Sequence, residues 1–176
     1  TTEIYTLSLH DALPIWHFVT GAKSHIALAG PANKQGRIAA DHICGRRSAY
    51  TGALGTSVLK LFDLTAASTG LNEKQARAAG VAYDKVVTYS ASHASYYPGA
   101  RNMTVKTLFD PASGRILGAQ IVGFDGVDKR MDVLAAAIRA GLTAEQLTEL
   151  DLAYAPPYGS AKDPVNMAGY VIENVR

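Results

Sequence analysis

Met103 to Val122 reads MTVKTLFDPASGRILGAQIV. Met103, Val105, Thr107 and Phe109 alternate with Thr104, Lys106 and Leu108, the period of two expected of a strand with one buried face. Arg115 to Val122 resumes strand composition, and Asp110-Pro111-Ala112-Ser113-Gly114 between them supplies the Pro and Gly of a hairpin loop. Upstream, Thr56 to Phe62 also reads as a strand, Thr65 to Thr69 either continues it or pairs with it, and Val86 to Tyr89 is another. Asn72-Glu73 opens a short helix over Lys74 to Ala79, closed by Gly80. Downstream, Val127, Met131, Leu134, Ile138 and Leu142 follow helical spacing, with Gly141 as the stop. Thr143 and Gln146 form a capping-box pattern for a helix ending near Leu150, and Asp163 before Pro164 caps a last helix running to Val175. Strands and helices in mixed order with a hairpin predict an α+β fold around a largely antiparallel sheet.

The N-terminal third has a different texture. Phe18 to Leu28 reads as a loop around Thr20-Gly21 leading into a short apolar strand. After Gly30-Pro31, the segment Asn33 to Ile43 puts Gly36, Ala39, Ala40 and Ile43 on one helical face, suited to close packing against a sheet or a flat ligand. Cys44-Gly45 ends it, and the polar run Arg46 to Thr51 suggests a domain boundary near Ser48. Thr1 to Ile15, TTEIYTLSLHDALPI, resembles the in-frame translation of a widely used short-read sequencing adapter. The competing reading is a short amphipathic segment carrying Leu7, Leu9 and Leu13; on the adapter reading, His10 and Asp11 have no role and the chain lacks its true N-terminus. The expected division is therefore 1–15 non-native, 16–48, and 49–176.

Composition narrows the function classes. The chain has 176 residues, 48% hydrophobic and 18% charged, enough to bury one core. Seventeen Lys and Arg against fifteen Asp and Glu give +2, and with the basic residues scattered neither nucleic acid nor an anionic membrane is the expected partner. Apolar runs such as Val133 to Ile138 are far shorter than the roughly 20 residues that span a bilayer. The single cysteine, Cys44, excludes an internal disulfide framework and a cysteine-rich zinc site, fits a cytoplasmic protein, and is expected to be a small buried hydrophobe.

No GxGxxG, GxxxxGK, HExxH or CxxC occurs, and the histidines are dispersed, so no metal site is expected. Ser57-Val58-Leu59-Lys60 matches SxxK, but an alternating strand points Ser57 and Lys60 to opposite faces. Three segments carry more polar and aromatic detail than packing requires. Ala29 to Arg37, AGPANKQGR, is a helix start whose backbone N–H groups favour a carbonyl or an anion; an ordinary capped helix is the bland alternative. Ser92 to Gly99, SHASYYPG, is a turn with paired tyrosines, a pattern also common in surface packing. Leu152 to Pro164, LAYAPPYGSAKDP, presents Tyr154 and Tyr158 on a proline-stiffened loop. A tyrosine hydroxyl, protonated up to a pKa of about 10, can donate a hydrogen bond or a proton to a developing thiolate.

Taken together, Leu28-Ala29-Gly30-Pro31-Ala32-Asn33-Lys34-Gln35-Gly36-Arg37, Ser68-Thr69-Gly70-Leu71-Asn72-Glu73, Tyr96-Tyr97-Pro98-Gly99, Gly118-Ala119-Gln120, Gly126-Val127-Asp128-Lys129-Arg130 and Tyr154-Ala155-Pro156-Pro157-Tyr158 resemble the C-terminal part of the coenzyme A-disulfide reductases, within the pyridine nucleotide-disulfide oxidoreductases. The resemblance implies an FAD-binding domain interrupted by an NAD(P)H domain, followed by a dimerisation domain. Residues 16–48 would be the tail of the FAD domain and 49–176 the dimerisation domain. Pro31, Ala32, Asn33 and Gln35 would contact the flavin, the helix pointing its N-terminus at the pyrimidine end, where reduction builds negative charge. Tyr154, with Tyr96 as the second, occupies the positions of tyrosines carried into the partner subunit's disulfide site, and the resemblance leaves open which of Tyr96 and Tyr97 faces that site. The implied partners are a second copy in a homodimer and a small-molecule disulfide, CoA-disulfide or a related persulfide. NADH oxidases share the architecture and rank second, and members continuing into a rhodanese domain look most similar. The family's nucleophilic cysteine, glycine-rich nucleotide loops and flavin-holding Gly-Asp element have no counterpart here, so the chain alone is not expected to turn over. A non-catalytic dimeric interaction domain is the alternative from another class.

Overall fold

In the computed structural model residues 15–176 are described; apart from Ile15, the adapter-like segment, with Leu7, Leu9, His10, Asp11 and Leu13, lies outside the described residues. The chain parts into two units between Gly55 and Thr56, a few residues beyond Ser48.

In the first unit, β1 (Ile15–Trp16) pairs antiparallel with β2 (Lys23–Ser24). The strand expected to run toward Leu28 stops at Ser24, because the Ile26 carbonyl is taken locally by Leu28 N–H at 2.9 Å and joins no ladder. Helix α1 (Ala29–Ile43) begins earlier than Asn33. Pro31 then lies inside the first turn, where its missing N–H costs nothing, and Ala32 N–H makes an early helical bond to Leu28 O at 3.2 Å. No residue of α1 is buried. The small-residue stripe of Gly36, Ala39, Ala40 and Ile43 faces solvent, Ile43 being 86% exposed, and the half-buried positions include Gln35 and Ile38 instead. Cys44 is likewise exposed, against expectation, because it caps a helix end that enters no core within the described residues.

The second unit carries β3 (Ser57–Leu61), β4 (Leu64–Gly70), α2 (Glu73–Ala78), β5 (Asp84–Ala91), β6 (Asn102–Phe109), β7 (Ile116–Gly123), α3 (Val127–Ala140), α4 (Ala144–Thr148) and α5 (Pro164–Val175). Its strands form one antiparallel sheet in the order β3-β4-β7-β6-β5, as the hairpin pattern predicts. Thr65 to Thr69 pairs with the preceding strand rather than continuing it, Leu61 facing Leu64 across a tight turn in which Phe62 takes a φ of 53°. Helix α3 packs on β4 and β7 through Val127, Met131, Leu134 and Ile138, and α5 packs on β5 through Val165, Ala168 and Ile172. Full burial of each large side chain in this layer contributes roughly 1.5–3 kcal/mol.

Met103, Val105, Thr107 and Phe109 alternate along β6 as expected and are all buried, and Leu108, on the other face with Thr104 and Lys106, is 0% exposed as well. The ladder shifts register between Leu108 and Phe109. Opposite Leu108 stands Gly118, where a Cβ would strike the Leu71 backbone, so the chain entering α2 crosses the second face of the sheet and covers Leu108. That crossing places Glu73 against Lys106 and, at 2.8 Å, Lys85, with Arg77 at 3.0 Å. The hydrogen bond from Lys106, then that from Lys85, holds the Glu73 carboxyl down at about 2 from its ordinary 4.5. A carboxylate whose pKa falls on folding stabilises the fold above its unfolded pKa, and the contribution fades as pH drops toward the folded value. Thermal melts of the parent chain and Glu73→Gln should therefore differ at pH 6 and converge between about pH 4.5 and 2, with a smaller gap in high salt. Parallel melting curves across that range would contradict this.

Candidate functional site

Two loops meet beside the N-terminus of α3. One joins β5 to β6 and carries Tyr96; the other joins α4 to α5 and carries Tyr154. Ala94 N–H donates to Pro156 O at 3.3 Å, tying the loops backbone to backbone. Pro156 and Pro157 offer no N–H of their own, and Tyr158 and Gly159 turn their N–H groups back onto Ala155 O at 2.9 and 3.1 Å, which closes a tight turn.

Across this junction the Tyr96 and Tyr154 hydroxyls stand 3.0 Å apart. The structure thus brings together the two tyrosines singled out from sequence. The two residues are 75% and 49% exposed. The hydrogen bond with Tyr154, helped by partial desolvation, pushes the Tyr96 phenol above its ordinary pKa of 10. Tyr97 turns away from this contact and packs edge-on against His93, with ring centroids 5.8 Å apart. Beside the pair opens a cavity of about 490 Å³ walled by His93, Lys129, Tyr154, Pro157 and Tyr158 among others. A mostly apolar wall with a few polar groups is the character of a small-molecule cleft.

Arg130 anchors both loops from behind. It is 1% exposed; its Nε and Nη2 donate to Asp163 Oδ2 at 3.2 and 3.0 Å, Nη2 also to Ser92 O at 2.9 Å, and Nη1 to Gly126 O at 3.1 Å. Asp163 Oδ1 meanwhile caps α5 by accepting from Val165 N–H at 3.0 Å. One ion pair therefore joins the base of the Tyr96 loop, the start of α3 and the end of the Tyr154 loop. Sequence reasoning assigned Arg130 no such role. The available signal was its position, since a cation between Val127 and Leu134 on the apolar stripe of a helix must find a buried partner.

The other predicted residues, Pro31, Ala32, Asn33 and Gln35, occupy the first two turns of α1 in the first unit. No side chain caps this helix and no acidic residue lies in its first turn. A Cβ at Gly30 would meet nothing within 4 Å. The start of α1 at Ala29 and Gly30 is exposed, with its backbone N–H groups and positive dipole end on the surface of the unit. Asn33 Oδ1 accepts from Arg37 Nε at 3.2 Å. Among the described residues no cluster of His, Cys, Asp and Glu is placed to hold a metal, and no helix is long and apolar enough to cross a membrane.

A family model described as the pyridine nucleotide-disulphide oxidoreductase dimerisation domain matches residues 56–164. The chain belongs to this family. The matched span lies within the second unit and takes in both tyrosine loops. Among relatives of the oxidoreductase dimerisation domain, the coenzyme A disulfide reductase of Staphylococcus haemolyticus is 40% identical over 169 residues, covering 96% of this chain and 38% of its own length. The crystal structure of reduced Bacillus anthracis CoADR-RHD superposes with a TM-score of 0.90 at 54% identity, covering 94% of this chain and 30% of that one. An NAD-dependent persulfide reductase from A. fulgidus gives a TM-score of 0.90 at 45% identity over 93% of this chain and 30% of that one. The chain thus spans between a quarter and two fifths of the length of these relatives.

Proposed function

We propose that this chain is the dimerisation portion, with the tail of the FAD-binding domain, of a flavin-dependent enzyme that reduces CoA-disulfide or a related persulfide with NAD(P)H. On this reading residues 16–48 are the tail of the FAD-binding domain and 49–176 the dimerisation domain. The observation that carries it is the Tyr96–Tyr154 hydroxyl contact at 3.0 Å, in a chain 40% identical to a coenzyme A disulfide reductase. The partners are a second copy in a homodimer and the disulfide, and the compartment is the cytoplasm.

When an attacking thiolate splits a disulfide, one sulfur leaves as a thiolate and needs a proton or a hydrogen bond. A Tyr96–Tyr154 pair supplies both from one place: one hydroxyl donates to the sulfur while the other donates to the first. The raised pKa of Tyr96 keeps a proton on the pair throughout the neutral range. Pro31, Ala32, Asn33 and Gln35 would hold FAD at the α1 N-terminus, where the positive helix end favours the charge gained on reduction. When bound, FAD would carry two electrons from NAD(P)H to the mixed disulfide left on the attacking sulfur, regenerating the thiol.

Flavin binding tests the reading directly. Joined to its native upstream region, the chain is expected to purify as a yellow dimer that oxidises NADH or NADPH in the presence of CoA-disulfide. A colourless dimer from the same fusion would favour an interaction domain without catalysis.

A further inference from the structure

The loop between Ala91 and Asn102 leaves Tyr96 largely in solvent, yet a defined contact with Tyr154 requires the loop to hold one shape. His93 sits at the centre of the bonds that hold it. Its Nδ1 lies 3.1 Å from Ser92 Oγ and its Nε2 lies 3.2 Å from Pro98 O. A carbonyl only accepts, so Nε2 carries the proton and Nδ1 accepts from the Ser92 hydroxyl. Ser92 Oγ in turn accepts from Arg101 N–H at 3.2 Å, and Ser92 N–H donates to Arg101 O at 2.9 Å. The imidazole thereby bridges the closed base of the loop to Pro98 on the far side of the tyrosines, while its ring carries Tyr97 edge-on. With Tyr97 held there, Tyr96 is left to turn toward Tyr154.

We infer that His93 is a positioning residue for Tyr96, fixing the loop through its paired bonds to Ser92 and Pro98 so that the Tyr96 hydroxyl meets Tyr154. The inference rests on the disulfide-reductase reading only for its effect on rate; its structural content stands without it. Removing the imidazole leaves the base of the loop closed by Ser92 and Arg101 and held by Arg130, with the Ala94–Pro156 tie and the Tyr97–Ala94 backbone bond, but takes away the bond to Pro98 O.

Two readouts test it. Hydrogen–deuterium exchange on this chain should show faster exchange at the Tyr97 and Arg101 amides in His93→Ala, and near-parent rates in His93→Gln, whose side-chain amide can reach the Pro98 carbonyl. In the flavin-loaded parent enzyme, His93→Ala should slow disulfide reduction by about ten- to a hundredfold, mainly in kcat, and His93→Gln should recover most of it. The same His93→Ala change in a Tyr96→Phe background should add nothing, since residues acting through one group are not additive. Unchanged exchange in His93→Ala overturns the inference whatever the rates. Equal slowing with and without the Tyr96 hydroxyl overturns the assigned role. A Tyr96→Phe enzyme of full activity would instead refute the disulfide-site reading, with exchange still deciding the loop's shape.

Discussion

Replacing Arg130 by methionine is expected to destabilise the chain by about 3–5 kcal/mol, the usual cost of removing one partner of a buried ion pair. The two side chains are 1% and 5% exposed, so methionine leaves the nearly buried Asp163 carboxylate without its counter-charge. It also strips the buried Ser92 carbonyl of a donor, which adds to the cost, whereas the Gly126 carbonyl keeps the backbone N–H of residue 130. In a thermal melt this is a fall on the order of 10 °C for a chain of this size. Adding Asp163→Asn should recover part of the loss, because asparagine removes the stranded charge while its side-chain oxygen still caps α5 at Val165. A double variant less stable than Arg130→Met by the full cost of Asp163→Asn alone would show that the two side chains do not act together.

The larger functional effect belongs to the tyrosines. In the flavin-loaded parent, Tyr96→Phe with Tyr154→Phe is expected to slow the reduction of CoA-disulfide by about 10²- to 10⁴-fold, the range for a lost general acid. Flavin reduction by NAD(P)H should keep its rate, since neither hydroxyl is assigned to that half-reaction. The single variants should each account for most of the loss, because a 3.0 Å hydroxyl pair works as one donor and its members are not additive. The substitutions remove only a hydrogen bond between two exposed residues, so the melting temperature should move little.

Much of the second unit was legible because its signals are local. The period of two in Met103 to Phe109, the Asp110–Gly114 loop, the Thr143–Gln146 capping box and the Asp163-Pro164 helix start each act within a few residues, and each has the form expected. The burial of Leu108 was not legible locally, because the chain at Leu71, distant in sequence, crosses the sheet beside it at Gly118. Helix α1 began a turn early because Pro31 is compatible with a first turn as well as with a loop. Cys44 was expected to be buried and the Gly36–Ile43 stripe to suit close packing from their composition, which records what a face can pack against and not whether anything lies there. At the site, Tyr96 and Tyr154 were found by resemblance. The 3.0 Å contact between them, the Arg130 anchor and the His93 bridge depend on three-dimensional meetings of distant segments.

A stopped-flow single turnover of the pre-reduced parent enzyme against CoA-disulfide isolates the step in which the leaving thiolate is protonated. With the Tyr96→Phe, Tyr154→Phe enzyme, release of the first thiol should slow by at least about a hundredfold while flavin reduction by NAD(P)H proceeds as before. Thiol release at the parent rate would remove the tyrosine pair from the chemistry.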